Sequence, residues 1–396
     1  MTLPLDGLKI ISVEQYGAGP FGTQHLADMG AEVIKIENPH DGGDVGRGVG
    51  PHYFGEGDSH FYQAFSRNKK SVCLDLKHES GQAILHRLVE HADGVFNNLR
   101  GDLPARLGLD YAALGKVKPD IVCAHLSAYG RDGTRAGWPG YDYLMQAEAG
   151  YLSLTGEPEG PPARFGLSVI DLMTGTTAAL ALVSGILSAR ATGKGRDIDV
   201  SLFDVALHNL GYLATWYLNG EHMTSRLPRS AHPSLVPSQL YRTKDGWIFI
   251  MCNKEKFWPL LATAMDHPEW AEKPEYRTYA DRLKNRDAFN QEIEGVLLTD
   301  TTENWISRFA GRVPAAPVYD IAQALENPFV HERHGVVTAT DETGRKVKGV
   351  ACPIRCPGEN LPLHAAPALG ADTRDVLSRL GCSDEEIRSL REDSVI

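Results

Sequence analysis

The stretch LKIISVEQYGAGPFGTQHLADMGAEVIKIE, residues 8–37, decides the fold of this chain. Its two ends, residues 8–14 and 31–37, have the length and apolar content of buried strands. Between them, residues 17–30 begin with a glycine turn and continue as a helix, with a proline near its start where the missing N–H costs no hydrogen bond. A strand, a helix and a strand within about 30 residues form a βαβ unit, the seed of a parallel sheet.

The same alternation continues along the next 180 or so residues, as expected when each strand is followed by a crossover. The further predicted elements are strand 71–76, helix 79–91, strands 94–97 and 121–125, helix 171–190, strand 197–202 and helix 203–218. The helix at 171–190 is rich in Ala, Leu and Gly, which is typical of a buried helix. The fold class is therefore α/β, with a large, open, Rossmann-like parallel sheet.

The pattern changes near residue 225. Two strands flank Lys244-Asp245-Gly246, which is a hairpin signal. The later patterns are helices at 255–264, 288–298 and 302–311, extended segments at 315–319, 336–340 and 346–350, and an amphipathic helical tail at 370–392. We predict a large α/β domain at 1–222, completed by the segment 355–396, and a small α+β domain with its connections at 223–354.

Composition limits the class of protein. Of the 396 residues, 42% are hydrophobic and 23% are charged, which excludes a disordered or fibrous chain. The formal net charge of −11 disfavours nucleic acid as a partner. The sequence shows no signal peptide and no stretch near the roughly 18 apolar residues of a membrane span, so we expect a cytoplasmic protein without a membrane partner. The six cysteines match no zinc spacing, and no metal is expected.

The glycine turn permits two interpretations. Gly17, Gly19 and Gly22 fit the G-x-G-x-x-G fingerprint, and Glu37 ends the next strand, where a dinucleotide-binding protein places the acid that holds a ribose. A nicotinamide- or flavin-dependent oxidoreductase is therefore one candidate. The alternative is that a tight strand-to-helix turn prefers glycine for packing alone.

Basic residues recur next to predicted strands along the first 140 residues. Asn98, Leu99 and Arg100 follow a predicted strand, Arg106 comes shortly after, and Lys70 belongs to a basic cluster before another strand. Open α/β sheets bind ligands at the carboxyl ends of their strands. Cations gathered there in an acidic chain indicate a multiply phosphorylated ligand, although each cluster alone is equally typical of a solvated loop.

A series of motifs then covers essentially the whole chain. They are GLKIISVE at 7–14, AGP at 18–20, GAEVIKIENP at 30–39, NKKSVCLDLK at 68–77, NNLRGDLPARLGLDY at 97–111, LSAYGRDG at 126–133, PGYDYLMQAEAGYLSLTG at 139–156, SVIDLMTGTTAALAL at 168–182, GRDIDVSLFD at 195–204 and VPAAPV at 313–318. In this order they resemble the class III CoA-transferases, the family that contains formyl-CoA and carnitine CoA-transferases. The resemblance implies a CoA-transferase (EC 2.8.3) with a large and a small domain, and two chains interlinked like rings in a homodimer.

The resemblance also implies roles for particular residues. The nucleophile falls on Asp171, and Tyr141 and Asp142 are expected beside it in the substrate site. The implied CoA-site residues are Ala18, Asn98, Leu99, Arg100 and Arg106, with Lys70 as a further phosphate contact. A CoA thioester is then the substrate, and no cofactor is bound permanently.

A carboxylate nucleophile suits this chemistry. With a reference pKa of ~3.9, an aspartate is ionised at neutral pH without a general base. It can attack a thioester, expel CoA thiolate and form an anhydride that keeps the acyl group activated, provided that water is excluded. A helix N-terminus also favours the anion. On local sequence alone, Asp171 is equally explained as a helix cap.

The chain departs from the family in two places. Relatives often carry a glycine-run loop over the site, whereas the matching segment here is Met251-Cys252-Asn253-Lys254, and Asn38 stands where relatives have a basic residue. For the acceptor acid, a small dicarboxylate is expected, with Arg229 and the segment His232-Pro233-Ser234 as possible carboxylate contacts or as ordinary loop residues.

Two other functions remain open at this point. An α-methylacyl-CoA racemase shares the fold but needs the histidine of a Gly-His-Asp motif, and the matching segment is Gly140-Tyr141-Asp142. Tyrosine, with a pKa of ~10, is a poor base near neutrality. A non-catalytic acyl-CoA-binding protein is the remaining alternative, and the intact segment around Asp171 argues against it.

Overall fold

The computed structural model describes residues 3–341, 343–356 and 363–396. Its strands are β1 (Lys9–Val13), β2 (Glu32–Glu37), β3 (Tyr53–Gly55), β4 (Asp58–Ser59), β5 (Lys70–Cys73), β6 (Gly94–Asn97), β7 (Val122–Ser127), β8 (Arg196–Ser201), β9 (Ser238–Arg242), β10 (Trp247–Met251), β11 (Ala315–Pro317), β12 (Val336–Thr340) and β13 (Lys346–Val350). Its α-helices are α1 (Ala18–Asp28), α2 (His60–Ser66), α3 (Glu79–Glu90), α4 (Leu103–Arg106), α5 (Tyr111–Leu114), α6 (Asp142–Glu148), α7 (Tyr151–Leu154), α8 (Val169–Thr192), α9 (Leu202–His208), α10 (Tyr212–Gly220), α11 (Phe257–Ala264), α12 (Tyr279–Lys284), α13 (Arg286–Leu297), α14 (Thr302–Phe309), α15 (Ile321–Leu325), α16 (Pro328–Glu332), α17 (Thr373–Arg379) and α18 (Asp384–Glu392).

The main sheet confirms the predicted α/β class. Six parallel strands are arranged in the order β5-β2-β1-β6-β7-β8. The chain first builds outward from β1 to β5, and then returns to add β6, β7 and β8 on the other side of β1. The direction of winding therefore reverses between β1 and β6, and a doubly wound sheet binds its ligand at the carboxyl ends of the strands at such a switch point.

The chain divides into two compact units, which differ from the predicted domains. The large unit comprises the described parts of Met1–Ala149, Phe165–Ala214 and Glu332–Ile396, and the small unit comprises Gly150–Arg164 and Thr215–His331. The prediction placed 332–354 in the small domain. The β12–β13 hairpin instead belongs to the large unit, because Arg67 donates to the carbonyl of Val350 at 2.5 Å and Arg345 pairs with Asp58 at 2.7 Å.

The segment 150–164 was predicted to lie in the large domain and belongs to the small unit. Arg226 holds it there by donating to the carbonyls of Gly160 and Pro161, both at 2.9 Å. The small unit is α+β: the antiparallel strands β11, β10 and β9 form a sheet that packs with α11, α13 and α14 around buried aromatic residues. The predicted hairpin is formed by β9 and β10.

The C-terminal segment returns to the large unit. Asp372 accepts the N–H of Ser71 at 2.8 Å, and Thr373 accepts the N–H of Cys73 at 3.0 Å, so that α17 is anchored along β5. Residues 357–362 of the predicted completing segment lie outside the described residues.

Helix α8 corrects one sequence expectation. Among the described helices it is long and apolar enough, by length and composition, to cross a membrane, although no such stretch was expected. Half of its apolar window is buried, against α1, β7 and β8. The single helix predicted at 203–218 is two helices, because Gly211 adopts a positive φ of 55° between α9 and α10.

Candidate active site

Two glycines bring α1 and α8 into backbone contact. A Cβ on Gly22 would lie 2.3 Å from the carbonyl oxygen of Gly175, and a Cβ on Gly175 would lie 2.2 Å from that of Ala18. Both distances are well below van der Waals contact, so each position requires glycine. The N-terminal turn of α1 and the first turns of α8 are thereby held side by side.

This packing accounts for the fingerprint glycines without a dinucleotide. Gly19 leaves room for the side chain of Asn98, and Gly17 for the carboxylate of Asp171, whose Oδ2 is 3.0 Å from the position of a Cβ on Gly17. Glu37, which the fingerprint would place on a ribose, is buried and binds Arg47 through two hydrogen bonds of 2.6 and 2.8 Å. Neither the glycine turn nor Glu37 therefore supports the oxidoreductase interpretation.

Asp171 lies in the first turn of α8 with only 7% of its surface exposed. Among the described residues, none donates a hydrogen bond to its carboxylate. Burial raises the pKa of Asp171 to about 7, and repulsion from Asp142 adds to the increase. A buried carboxylate without a partner is costly to keep ionised, and such groups concentrate at functional sites.

Asp142 supports the helix that carries Asp171 and does not line the cleft. It begins α6 and accepts the backbone N–H of Asp171 at 2.9 Å with Oδ2. Its Oδ1 accepts from Gln146 at 2.5 Å, and Gln146 in turn accepts the N–H of Phe165 at 2.8 Å. Asp142 thus fixes the start of α8 and also contributes a negative charge beside Asp171.

A cleft of about 570 Å³ opens in front of Asp171. Its walls are residues 15–18 after β1, 98–100 after β6, 126–128 at the end of β7, the loop 138–141, and Val45, Asp171 and Leu202. These positions include the carboxyl ends of β1 and β6, which is the switch point of the sheet. Tyr141 lies at the cleft with 64% of its surface exposed.

The predicted CoA-site residues are only partly brought together. Ala18, Asn98, Leu99 and Arg100 line the cleft, and Leu99 also lines a second cavity of about 210 Å³ beyond it. Arg106 lies nearby because it shares the carboxylate of Asp102 with Arg100, at 3.3 and 2.5 Å. Both arginines are largely exposed at the carboxyl edge of the sheet.

Asn98 has a different geometry from a simple ligand contact. Its Oδ1 accepts the N–H of Gln15 at 2.9 Å, and its Nδ2 donates to the carbonyl of Gln15 at 2.7 Å. The side chain therefore joins the ends of β1 and β6, and its amide is already used on both sides.

Lys70 lies at the other edge of the sheet. It is the first residue of β5 and pairs with Glu32, the first residue of β2, at 2.5 Å. The structure thus separates Lys70 from the cleft, which is formed at the carboxyl ends of the strands. The sequence already indicated this position, because Lys70 comes at the amino end of its strand and not at the carboxyl end.

The loop residues considered for the acceptor acid belong to the small unit. Arg229 forms an ion pair with Glu294, and Nδ1 of His232 accepts the N–H groups of Ser234 and Leu235, both at 3.1 Å. Cys252, in the segment that replaces the glycine run, is buried and donates its N–H to Pro237 at 2.9 Å. These contacts are local to the small unit.

Several residues in and around the cleft were not predicted from the sequence. Gln15, Tyr16 and Trp138 line it, and Asp44 lies just behind it, bonded to the N–H of Tyr16 at 2.8 Å. No motif marks them, although the strand end before Gln15 was a usable signal. Within the described ranges, no group of His, Cys, Asp and Glu is arranged to hold a metal ion, and the cysteines are free.

A doubly wound parallel sheet with a buried carboxylate, unpaired among the described residues, at its switch point marks a candidate ligand-binding and functional site, and comparison with known proteins identifies the family. The sequence profile of CoA-transferase family III matches residues 5–373. The chain belongs to CoA-transferase family III and is a CoA-transferase.

Several relatives align over most of their length. The chain is 33% identical to a succinate–glutarate CoA-transferase of Agrobacterium fabrum, over 95% of this chain and 96% of the relative. It is 35% identical to an acetyl-CoA:oxalate CoA-transferase of Acetobacter aceti, over 84% and 85% of the two chains. A crystal structure of a CAIB/BAIF family protein from Brucella suis superposes with a TM-score of 0.83 and 31% identity, over 96% of this chain and all of that one.

The raised pKa of Asp171 predicts a pH-dependent gain in stability from Asp171→Asn. A carboxyl whose pKa is higher in the folded state costs stability as pH rises from its ordinary pKa toward about 7, because the folded protein must then give up a proton that it holds more tightly. At about pH 8 the variant should unfold with a free energy up to about 4 kcal/mol larger than the wild type, and at about pH 4 the difference should vanish. Thermal and urea unfolding at both pH values measure it.

Asp132→Asn is the matched control, because Asp132 is an exposed aspartate of the large unit. It should change stability little, and equally at both pH values. An Asp171→Asn protein that gains nothing at the higher pH would show that the carboxylate is compensated in the folded state.

Proposed function

We propose that this CoA-transferase moves CoA from an acyl-CoA thioester to a small dicarboxylic acid, with Asp171 as the covalent carrier. The observation that carries the proposal is the buried carboxylate of Asp171, which has no hydrogen-bond donor in the described part of the chain and faces a cleft of about 570 Å³ at the switch point of the sheet. One of the two relatives described above is named for succinate and glutarate and the other for acetyl-CoA and oxalate, which supports a dicarboxylate as the acceptor.

The reaction begins when an oxygen of the Asp171 carboxylate attacks the thioester carbonyl. The C–S bond breaks, CoA leaves as thiolate, and Asp171 carries the acyl group as a mixed anhydride. The thiolate then attacks the Asp171 carbonyl, giving an aspartyl-CoA thioester and releasing the donor acid with one oxygen taken from Asp171. The acceptor carboxylate attacks that thioester and expels thiolate again, and the thiolate finally attacks the acceptor's carbonyl to form the new acyl-CoA and regenerate Asp171.

Negative charge develops on a carbonyl oxygen in each of these attacks. The N–H groups of Ala18 and Gly19 open α1, where backbone donors have no partner within the helix. Neither has an acceptor among the described residues. Because Ala18 lines the cleft that holds Asp171, these amides are suited to stabilise the oxyanion. The high pKa of Asp171 also makes its ionised form a stronger nucleophile than an ordinary aspartate.

The CoA moiety is proposed to run from the cleft past Leu99 and Arg100 along the carboxyl edge of the sheet toward Arg106. Arg100 and Arg106 are placed where a phosphate could replace their shared partner Asp102. CoA enters as a substrate, and the enzyme needs no permanently bound cofactor. We further propose a cytoplasmic homodimer with interlinked chains, in which exposed leucines of α8, Leu180 and Leu187, are covered.

Thioester exchange measured by mass spectrometry tests the proposed reaction. Wild-type protein with succinyl-CoA and a pool of mono- and dicarboxylic acids should form new dicarboxylyl-CoA masses without NAD, metal or ATP. Asp171→Asn should lose exchange by at least about three orders of magnitude, because removing a covalent nucleophile leaves only binding and electrostatic effects. Exchange that persists in Asp171→Asn, or that uses only monocarboxylates, would contradict the proposal.

The phosphate contacts give a separate kinetic prediction. Arg100→Ala and Arg106→Ala should each raise KM for the CoA thioester about tenfold while leaving kcat nearly unchanged, as expected when a charge-assisted contact acts equally on the ground and transition states. Lys70→Ala is the control, because Lys70 lies at the opposite edge of the sheet, and its KM should remain that of the wild type. Initial rates at varied CoA thioester concentration decide between these outcomes.

A further inference from the structure

The turn between β1 and α1 holds an unfavourable backbone conformation beside the nucleophile. Tyr16 has a φ of 68°, in the left-handed region that a tyrosine rarely adopts. Such strain costs of the order of 1–3 kcal/mol and persists only where the surroundings enforce it. The next residue, Gly17, lies directly against the carboxylate of Asp171. The conformation of Tyr16 therefore decides how closely this backbone covers the nucleophile.

Asp44 enforces that conformation from behind the cleft. Its Oδ1 accepts the N–H of Tyr16 at 2.8 Å and the N–H of Gly46 at 2.7 Å. Its Oδ2 forms a hydrogen-bonded ion pair with Lys35. On the other side of the turn, the Asn98 amide holds both backbone groups of Gln15.

The Lys35–Asp44 pair is fully buried, and neither residue lines the cleft, although Asp44 also borders the small acidic cavity beyond Leu99. A buried ion pair is weak evidence for stability, because well-packed apolar residues of similar volume are often as stable. The part of the pair that an apolar replacement cannot supply is the Oδ1 acceptor for Tyr16. We propose that Asp44 is a positioning residue, held by Lys35, whose Oδ1 fixes the Tyr16 turn so that Gly17 shields the Asp171 intermediate from water.

This inference rests on the proposed role of Asp171 as the covalent carrier. If the turn loosens, water reaches the anhydride or the aspartyl thioester. Water then adds to the carbonyl, the acid or the CoA thiol leaves, and Asp171 is regenerated without transfer. Hydrolysis at the expense of transfer is thus the signature of a misplaced turn, and loss of stability alone does not produce it.

Two double variants separate the effect of the hydrogen-bond acceptor at residue 44 from the effect of the ion pair. Lys35→Met/Asp44→Asn and Lys35→Met/Asp44→Leu both remove the ion pair, and they differ mainly in whether residue 44 offers an oxygen to Tyr16. The leucine variant should lose kcat by about tenfold or more, as small misplacements near reacting atoms do, and should release free acid and CoA instead of the transferred product. KM for the CoA thioester should change little, and the asparagine variant should restore most of kcat and the ratio of transfer to hydrolysis.

A second buried ion pair provides the control. Asp28 and Arg67 pair at 2.6 Å away from the turn. Asp28→Leu/Arg67→Met should lower stability without raising the hydrolysed fraction. A leucine variant with wild-type kcat and product ratio would overturn the inference, and so would an asparagine variant as impaired as the leucine one.

A measurement on the wild type keeps the inference testable if the leucine variant does not fold. Hydrogen–deuterium exchange resolved by overlapping peptides should show the amide of Tyr16 as slow as those of β1, because it is bonded to a buried carboxylate. Rapid exchange at Tyr16 would overturn the inference.

If Asp171→Asn is inactive while the leucine variant behaves as wild type, only the positioning inference fails. Turnover in Asp171→Asn would remove the proposed function itself.

Discussion

The contact between α1 and α8 is the constraint on which the site depends. Because Gly22 and Gly175 let the two helix backbones touch, the first turn of α8 lies beside the first turn of α1, at the switch point of the sheet. Asp171 then stands in the first turn of the half-buried helix α8, next to the uncapped amides that open α1. A side chain at either glycine would push the two helices apart and move Asp171 away from α1, so a feature that resembles a nucleotide fingerprint serves helix packing.

Electrostatics distinguishes Asp171 from the other buried acids around it. Glu14 pairs with Lys69, Glu37 with Arg47 and Asp44 with Lys35, so each of these carboxylates is neutralised inside the protein. Asp171 has Asp142 as its charged neighbour, and both burial and repulsion hold its pKa near 7. The fold thus loses some stability at this position and gains a buried carboxylate of raised pKa at the wall of the cleft, which is the balance expected at a catalytic site.

The sequence predicts much of this arrangement, for physical reasons that also explain where it fails. The spacing of apolar residues and the glycine turns predict the βαβ units, and the family motifs point to Asp171. Both signals lie in short stretches of sequence and can therefore be recognised without the structure. The roles of Asn98 and Glu37 depend on partners from other strands, Gln15 and Arg47, whose register no local pattern reveals. The positioning role proposed for Asp44 is harder still to predict from the sequence, because it depends on a single contact with a backbone N–H, that of Tyr16. The domain boundaries differ for the same reason: 332–354 is tied to the large unit by Arg67 and Arg345.

Oxygen tracing tests the covalent role of Asp171 most directly. When the acceptor dicarboxylate is labelled with oxygen-18, the last step of the proposed reaction leaves one labelled oxygen on the regenerated Asp171 carboxylate. After a single turnover, the proteolytic peptide that contains Asp171 should therefore be heavier by one oxygen-18, and after many turnovers by up to two, with fragmentation placing the label on that residue. Product acyl-CoA formed without any label on Asp171 would contradict the account, because it would show that the acyl group passes between CoA and acid without being carried by the protein.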